Sequence, residues 1–127
     1  MTSEALKYIA DYMSSKNIPY DFMRYKGTPP GRYWVGEYQE VENQDLESTG
    51  YQETSFYLSG FTRESYLLLE QDKADIRSDL PLTTILSSGS GIAMEYVTGR
   101  PVETNDPEIK RMDLTITIKE WRVNSNE

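Results

Sequence analysis

The chain has 127 residues, 13 basic and 21 acidic side chains for a net charge of −8, and neither cysteine nor histidine. That length suits one domain with one core. The missing residue types exclude disulfides, thiolate or imidazole zinc sites and the serine–histidine and cysteine–histidine pairs of hydrolases, and the acidity repels a phosphate backbone, while carboxylate chemistry stays open.

No apolar run approaches the roughly 20 residues that cross a bilayer. The opening "MTSEALKYIADYM" carries acids where a leader peptide needs a basic start and an apolar centre, so a soluble, unexported chain is expected. Ten tyrosines and two tryptophans stand out against a hydrophobic share of 37%. Rings of this kind bury area while keeping a polar tip usable at an interface.

The first predicted element is a helix from Ser3 to Ser15, with Leu6, Ile9, Ala10 and Met13 on one buried stripe and Ser3 placed to cap the free amides. Lys16 suits its negative end, and Asn17 before Pro19 stops it. "IPYDFMRY" alternates like a half-exposed strand, "KGTPPG" breaks the chain, and a second strand runs from Arg32 to Val41. The polar loop from Glu42 to Gly50 then joins it, as a long hairpin, to "YQETSFYLSGF", where Thr54, Phe56 and Leu58 share a face.

A second helix is expected to begin near Thr62, as its cap, and to end at Pro81. Its stripe is Leu69, Lys73, Ile76 and Leu80, widened by Tyr66 and Leu67. "LTTILSSGSG" reads as a short turn and a flexible loop, "IAMEYV" as a fourth strand and "TGRPVETNDP" as a bend. In the last strand Met112, Leu114, Ile116 and Ile118 share one face, whereas Trp121 and Val123 have the opposite parity, which predicts a bulge near Lys119 and Glu120. The order α-β-β-β-α-β-β predicts an α+β domain: a mixed, mainly antiparallel sheet of about five strands with two helices on one face. The last strand should be flanked inside the subunit by the second or the fourth, its other side shielded by a helix or by the next protomer.

Among candidate sites, Glu37, Glu40, Glu42, Asp45, Glu47 and Glu53 crowd one hairpin, but their spacing matches no calcium loop, so a solvated acidic surface is the plainer reading. "SSGSG" lacks the lysine ending of a phosphate cradle. Tyr33, Trp34, Tyr38, Tyr51, Tyr57 and Trp121 have no interleaved basic residues and read as core and subunit-interface packing rather than a base-stacking platform. Arg24, Lys26 and Arg32, with Lys110 and Arg111, form small basic islands. Together with the acids Glu40, Glu42, Asp45 and Glu47 they are candidate contact residues for a head-to-tail assembly.

Taken end to end, the first helix, "IPYDFMRYKGTPPGRYWVGEY", "EVENQDLESTGYQETSFYLSG", the second helix, the Gly-Ser loop and "VETNDPEIKRMDLTITIKEW" resemble the tail terminator, or tail-completion, proteins of long-tailed bacteriophages. The resemblance implies a structural protein, not an enzyme, without cofactor. Such a protein forms a ring, commonly hexameric, on the last ring of the tail tube, ends tube growth and offers a surface to the head-completion or connector protein. It also implies location in the virion neck after assembly in the host cytoplasm, with DNA only passing through the lumen. Acidic walls would keep that DNA from sticking if the hairpin or the turn from Thr104 to Asp106 faced inward. The composition equally suits a small acidic binding module of the immunity or inhibitor type. A carboxylate-dependent hydrolase is a weaker third reading.

Overall fold

The computed structural model describes residues 1–41 and 50–122. In chain order its elements are α1 (Ser3–Ser15), β1 (Tyr20–Phe22), β2 (Arg32–Glu40), β3 (Gln52–Thr62), α2 (Leu67–Asp79), β4 (Leu82–Ile85), β5 (Gly91–Val102) and β6 (Lys110–Trp121). The fold is α+β, as the periodicities predict, but the sheet has six strands rather than five, in the order β1-β2-β3-β6-β5-β4. β1 pairs with β2 in parallel, and every other neighbouring pair is antiparallel.

α1 is capped by Thr2 rather than Ser3. The Thr2 hydroxyl accepts the Ala5 amide at 3.1 Å, which satisfies one of the amides that a helix start leaves free. Asn17 ends the helix at φ +59°, a left-handed conformation that asparagine tolerates better than most residues. The buried stripe is Ala5, Ile9 and Met13, while Ala10 faces out. α2 starts five residues later than the sequence suggests, because Thr62 is the last residue of β3. Its hydroxyl donates to the Gly31 carbonyl at 2.9 Å and accepts the Glu64 amide at 3.0 Å, so it caps the turn before the helix. Leu69, Asp72 and Ile76 face inward, and Leu67 is 68% exposed.

The residue period of two decides which face of the sheet is buried. Trp34, Phe56, Leu58, Ile92, Met94, Met112, Leu114, Ile116 and Ile118 form one core with the inward residues of both helices. The Trp34 ring lies across Gly60, where a Cβ would stand 2.6 Å from the indole, so glycine is what lets β2 and β3 carry so large a side chain at 0% exposure.

The bulge expected at Lys119 and Glu120 is absent. β6 alternates without interruption to Trp121, which leaves Glu120 on the core side and Trp121 on the open side. The irregularity lies in β5 between Tyr96 and Thr98, where Val97 is the extra residue. It restores pairing and lets β5 continue through Val102, across residues that the sequence suggests are a bend. β6 also has no free side. It pairs with β3 from Gln52–Glu120 to Thr62–Lys110, and with β5 from Gly91–Trp121 to Val102–Arg111. A shield from a neighbouring protomer is therefore not needed there, and the second strand is not its neighbour.

Candidate functional site

Register sorts the sequence-predicted contact residues to two ends of the sheet. Arg32, Thr62 and Lys110 lie level at one end, and Glu40, Thr54 and Ile118 at the other. Eight residues of extended chain separate the two, about 27 Å at 3.4 Å per residue. Of the predicted acids, Glu42, Asp45 and Glu47 lie outside the described residues. Arg24 lies in the connection after β1.

At the acidic end the start of α1 is tied down by carboxylates. The Thr2 hydroxyl and amide both donate to Glu120 Oε1, at 2.8 and 3.2 Å. Glu40 pairs with the α-amino group of Met1. Glu4, in the first turn of α1, accepts the Ser88 hydroxyl at 2.6 Å, the Ser87 hydroxyl at 2.9 Å and the Ser88 amide at 3.0 Å. The Ser88 hydroxyl is the largest of the causes that hold the Glu4 carboxyl below its usual range. These bonds pin the Gly-Ser segment, which is a hydrogen-bonded turn rather than a free loop: Leu86 N–H donates to Ser90 O at 2.7 Å, and Gly89 turns the chain at φ +96°. Thr2, Glu40, Tyr51, Glu120, Trp121 and Arg122 line a cavity of about 620 Å³ here.

At the other end the basic islands are largely engaged within the chain. Arg32 Nε donates to Asp72 Oδ2 at 2.5 Å, Trp34 Nε1 donates to the same oxygen at 2.7 Å, and Arg32 also donates to the Asn17 carbonyl at 3.2 Å. Asp72 is 4% exposed, so this pair fastens α2 to β2. It spans 40 residues of sequence, and the stripe read from the sequence, Leu69, Lys73, Ile76 and Leu80, does not include Asp72. Arg111 donates twice to Asp113, at 2.9 and 3.1 Å, and lies over the Phe61 ring. Arg24 and Lys110 make no ion pair among the described residues.

The sheet face away from the helices carries half-buried Tyr33, Tyr57, Phe61 and Trp121. Tyr33 stacks on Phe61 at 5.4 Å and meets Tyr25 edge-on at 5.2 Å. Basic groups do interleave with these rings, because the long-range pairing of β6 with β3 brings Arg111 over Phe61 and Lys119 over Tyr51. Trp34, by contrast, is core. Among the described residues no group of three or more acids is placed to hold a metal ion, and no helix is long and apolar enough to cross a membrane.

No protein-family model matches the chain, and no curated protein does. Seven chains of solved structures are similar to it; one of them aligns with TM-score 0.67 over 94% of this chain and 92% of its own length, at 14% identity. At that identity the likeness concerns the fold alone.

Proposed function

We propose that the chain is the protomer of a ring that caps the tail tube of a long-tailed phage, ends its growth and presents the surface on which the head docks. The observation that carries this reading is the unfinished sheet: β1 and β4 stand at its two edges, and each covers only part of the strand inside it. An incomplete sheet edge is a template for another strand, and a protomer needs two different edges to join head to tail around an axis. The whole-chain resemblance to tail terminators supplies the rest: the tube protein and a head-completion or connector protein as partners, passing DNA as cargo, and no cofactor.

In such a ring the Glu40 carboxylate and the basic side chains of Arg32, Lys110 and Arg111 act at opposite ends of the axis, since they occupy opposite ends of the strands. If the sequence-predicted acidic hairpin of Glu40, Glu42, Asp45 and Glu47 borders the opening through which DNA passes, its negative charge prevents sticking. Replacing Glu42, Asp45 and Glu47 together by their amides should impair DNA retention or tail joining, measured as phage yield. An unchanged yield contradicts this placement.

The reading as a whole is tested with purified tail tube protein polymerised in the presence of the chain. Short tubes bearing the chain at one end support it. Tubes of unaltered length, together with one-to-one capture of a cationic protein at low salt, would instead favour the acidic binding module.

A further inference from the structure

The backbone of the two edge strands determines how neighbouring copies would meet, and this step rests on the ring reading above. Leu86 N–H donates to Ser90 O. Backbone groups alternate sides along a strand, so Leu82 and Thr84 face β5 while Thr83 and Ile85 turn their N–H and C=O groups outward. On β2, Val41 N–H donates to Glu53 O, and Trp34 and Gly36 bond outward to Pro19 and Met23. The same alternation leaves Tyr38 and Glu40 facing outward, beyond the reach of β1, which stops at Gly36.

The other stretches of edge are guarded. β1 has three residues, and the amide of Phe22 is taken by the carboxylate of Asp21 at 2.9 Å. The free length of β5 carries the Val97 irregularity and Pro101. β4 has neither charge, proline nor bulge within it, and Ile85 is 57% exposed. Natural sheets rarely leave an edge in that condition without a partner.

We infer that β4 of one copy pairs in parallel with the Tyr38–Glu40 stretch of β2 in the next. Direction and face both require it. Four antiparallel steps separate β2 from β4, so the two run the same way within a subunit, and a rotation that builds a ring preserves that direction. In a parallel ladder one residue bonds to the two that flank its level partner. Thr83 N–H then meets the Tyr38 carbonyl, Glu40 N–H meets the Thr83 carbonyl, and Ile85 N–H meets the Glu40 carbonyl. Gln39 lies level with Thr83, and both side chains fall on the face away from the helices. The antiparallel alternative would set Thr83 opposite Tyr38 or Glu40, whose side chains take the helix side, and would turn the next copy inside out. Within one subunit Leu82 is level with Glu40 through Met94, Ile118 and Thr54. The junction therefore slides neighbours by two residues, about 7 Å, a stagger of the kind that closed sheets need.

The test uses Thr83→Pro, which removes an outward amide without touching the β4–β5 ladder, and a Thr83→Cys, Gln39→Cys double variant in this cysteine-free chain. Molar mass comes from light scattering, fold from circular dichroism, and cross-linking from electrophoresis after oxidation. The expected result is a ring for the wild type, loss of the ring with an unchanged spectrum for Thr83→Pro, and a disulfide ladder of multimers for the double variant alone. If Thr83→Pro misfolds, the ladder decides. A ring that survives the proline, or forms without any ladder, overturns the edge pairing and leaves the ring reading standing. Disulfide dimers from Thr83→Cys alone also overturn it, since they place β4 against β4. A wild type that never assembles, alone or with tube protein, defeats the ring reading itself.

Discussion

The centre of the sheet and its margins are built on opposite terms. β3 and β6 are long, paired on both sides over nearly their whole length, and alternate strictly between a core of Phe56, Leu58, Leu114, Ile116 and Ile118 and an open face. β1 and β4 are three and four residues long, each leaving part of its inner neighbour bare. In the centre the backbone of β6 is paired on both sides within the chain. At the margins the strands leave outward backbone groups without a ladder partner among the described residues, and on the proposed ring reading that difference separates what folds the subunit from what joins subunits.

The sharpest break in that contrast is proline placed in the centre. Thr117 pairs with Ser55 on one side and Glu95 on the other, so Thr117→Pro removes a ladder donor from a strand with no free edge. It should cost about 3 kcal/mol or more, and circular dichroism should show a largely unfolded chain at ambient temperature. Next comes the lock beside the β2 margin. Asp72→Ala leaves the Arg32 and Trp34 donors without their buried acceptor and should lower stability by about 3 kcal/mol in chemical denaturation.

Acid comes third. Asp79 is held below the usual carboxylate range by the Lys16 ammonium and then the Tyr12 hydroxyl, Glu4 first by the Ser88 hydroxyl, and Asp21 first by the Lys26 amide. Groups with depressed folded values contribute stability that is complete above their unfolded values of 3.8 to 4.5 and is lost as pH falls through the folded ones. The melting temperature should therefore drop below about pH 4, and less steeply in Asp79→Asn. The smallest effect sharpens the contrast from the other side: Thr83→Pro, at an outward margin position, should change subunit stability by less than about 1 kcal/mol. A large loss would mean that Thr83 N–H bonds within the chain.

How much of this was legible in the sequence follows the same division. Met112, Leu114, Ile116 and Ile118 announce a central strand because period-two alternation reflects burial on one face. Its continuation to Glu120 was hidden, since a carboxylate on the core side makes sense only once Thr2, 118 residues away, is known to donate to it. The strand Leu82–Ile85 was missed because four residues carry too little pattern to separate strand from turn. Val97 has the character of an ordinary strand residue, so its displacement shows only against the β6 register. Of the candidate contact residues, Arg32 and Arg111 proved to be tied to Asp72 and Asp113, pairings that local spacing reveals only for the second.

The central claim is that this chain acts by joining copies of itself edge to edge. The most direct measurement is molar mass by light scattering over a concentration series. The account predicts growth from the 14.7 kDa subunit to one closed multiple of it, with no larger species as concentration rises further. A single-subunit mass throughout the series, unchanged by added tube protein, would contradict it.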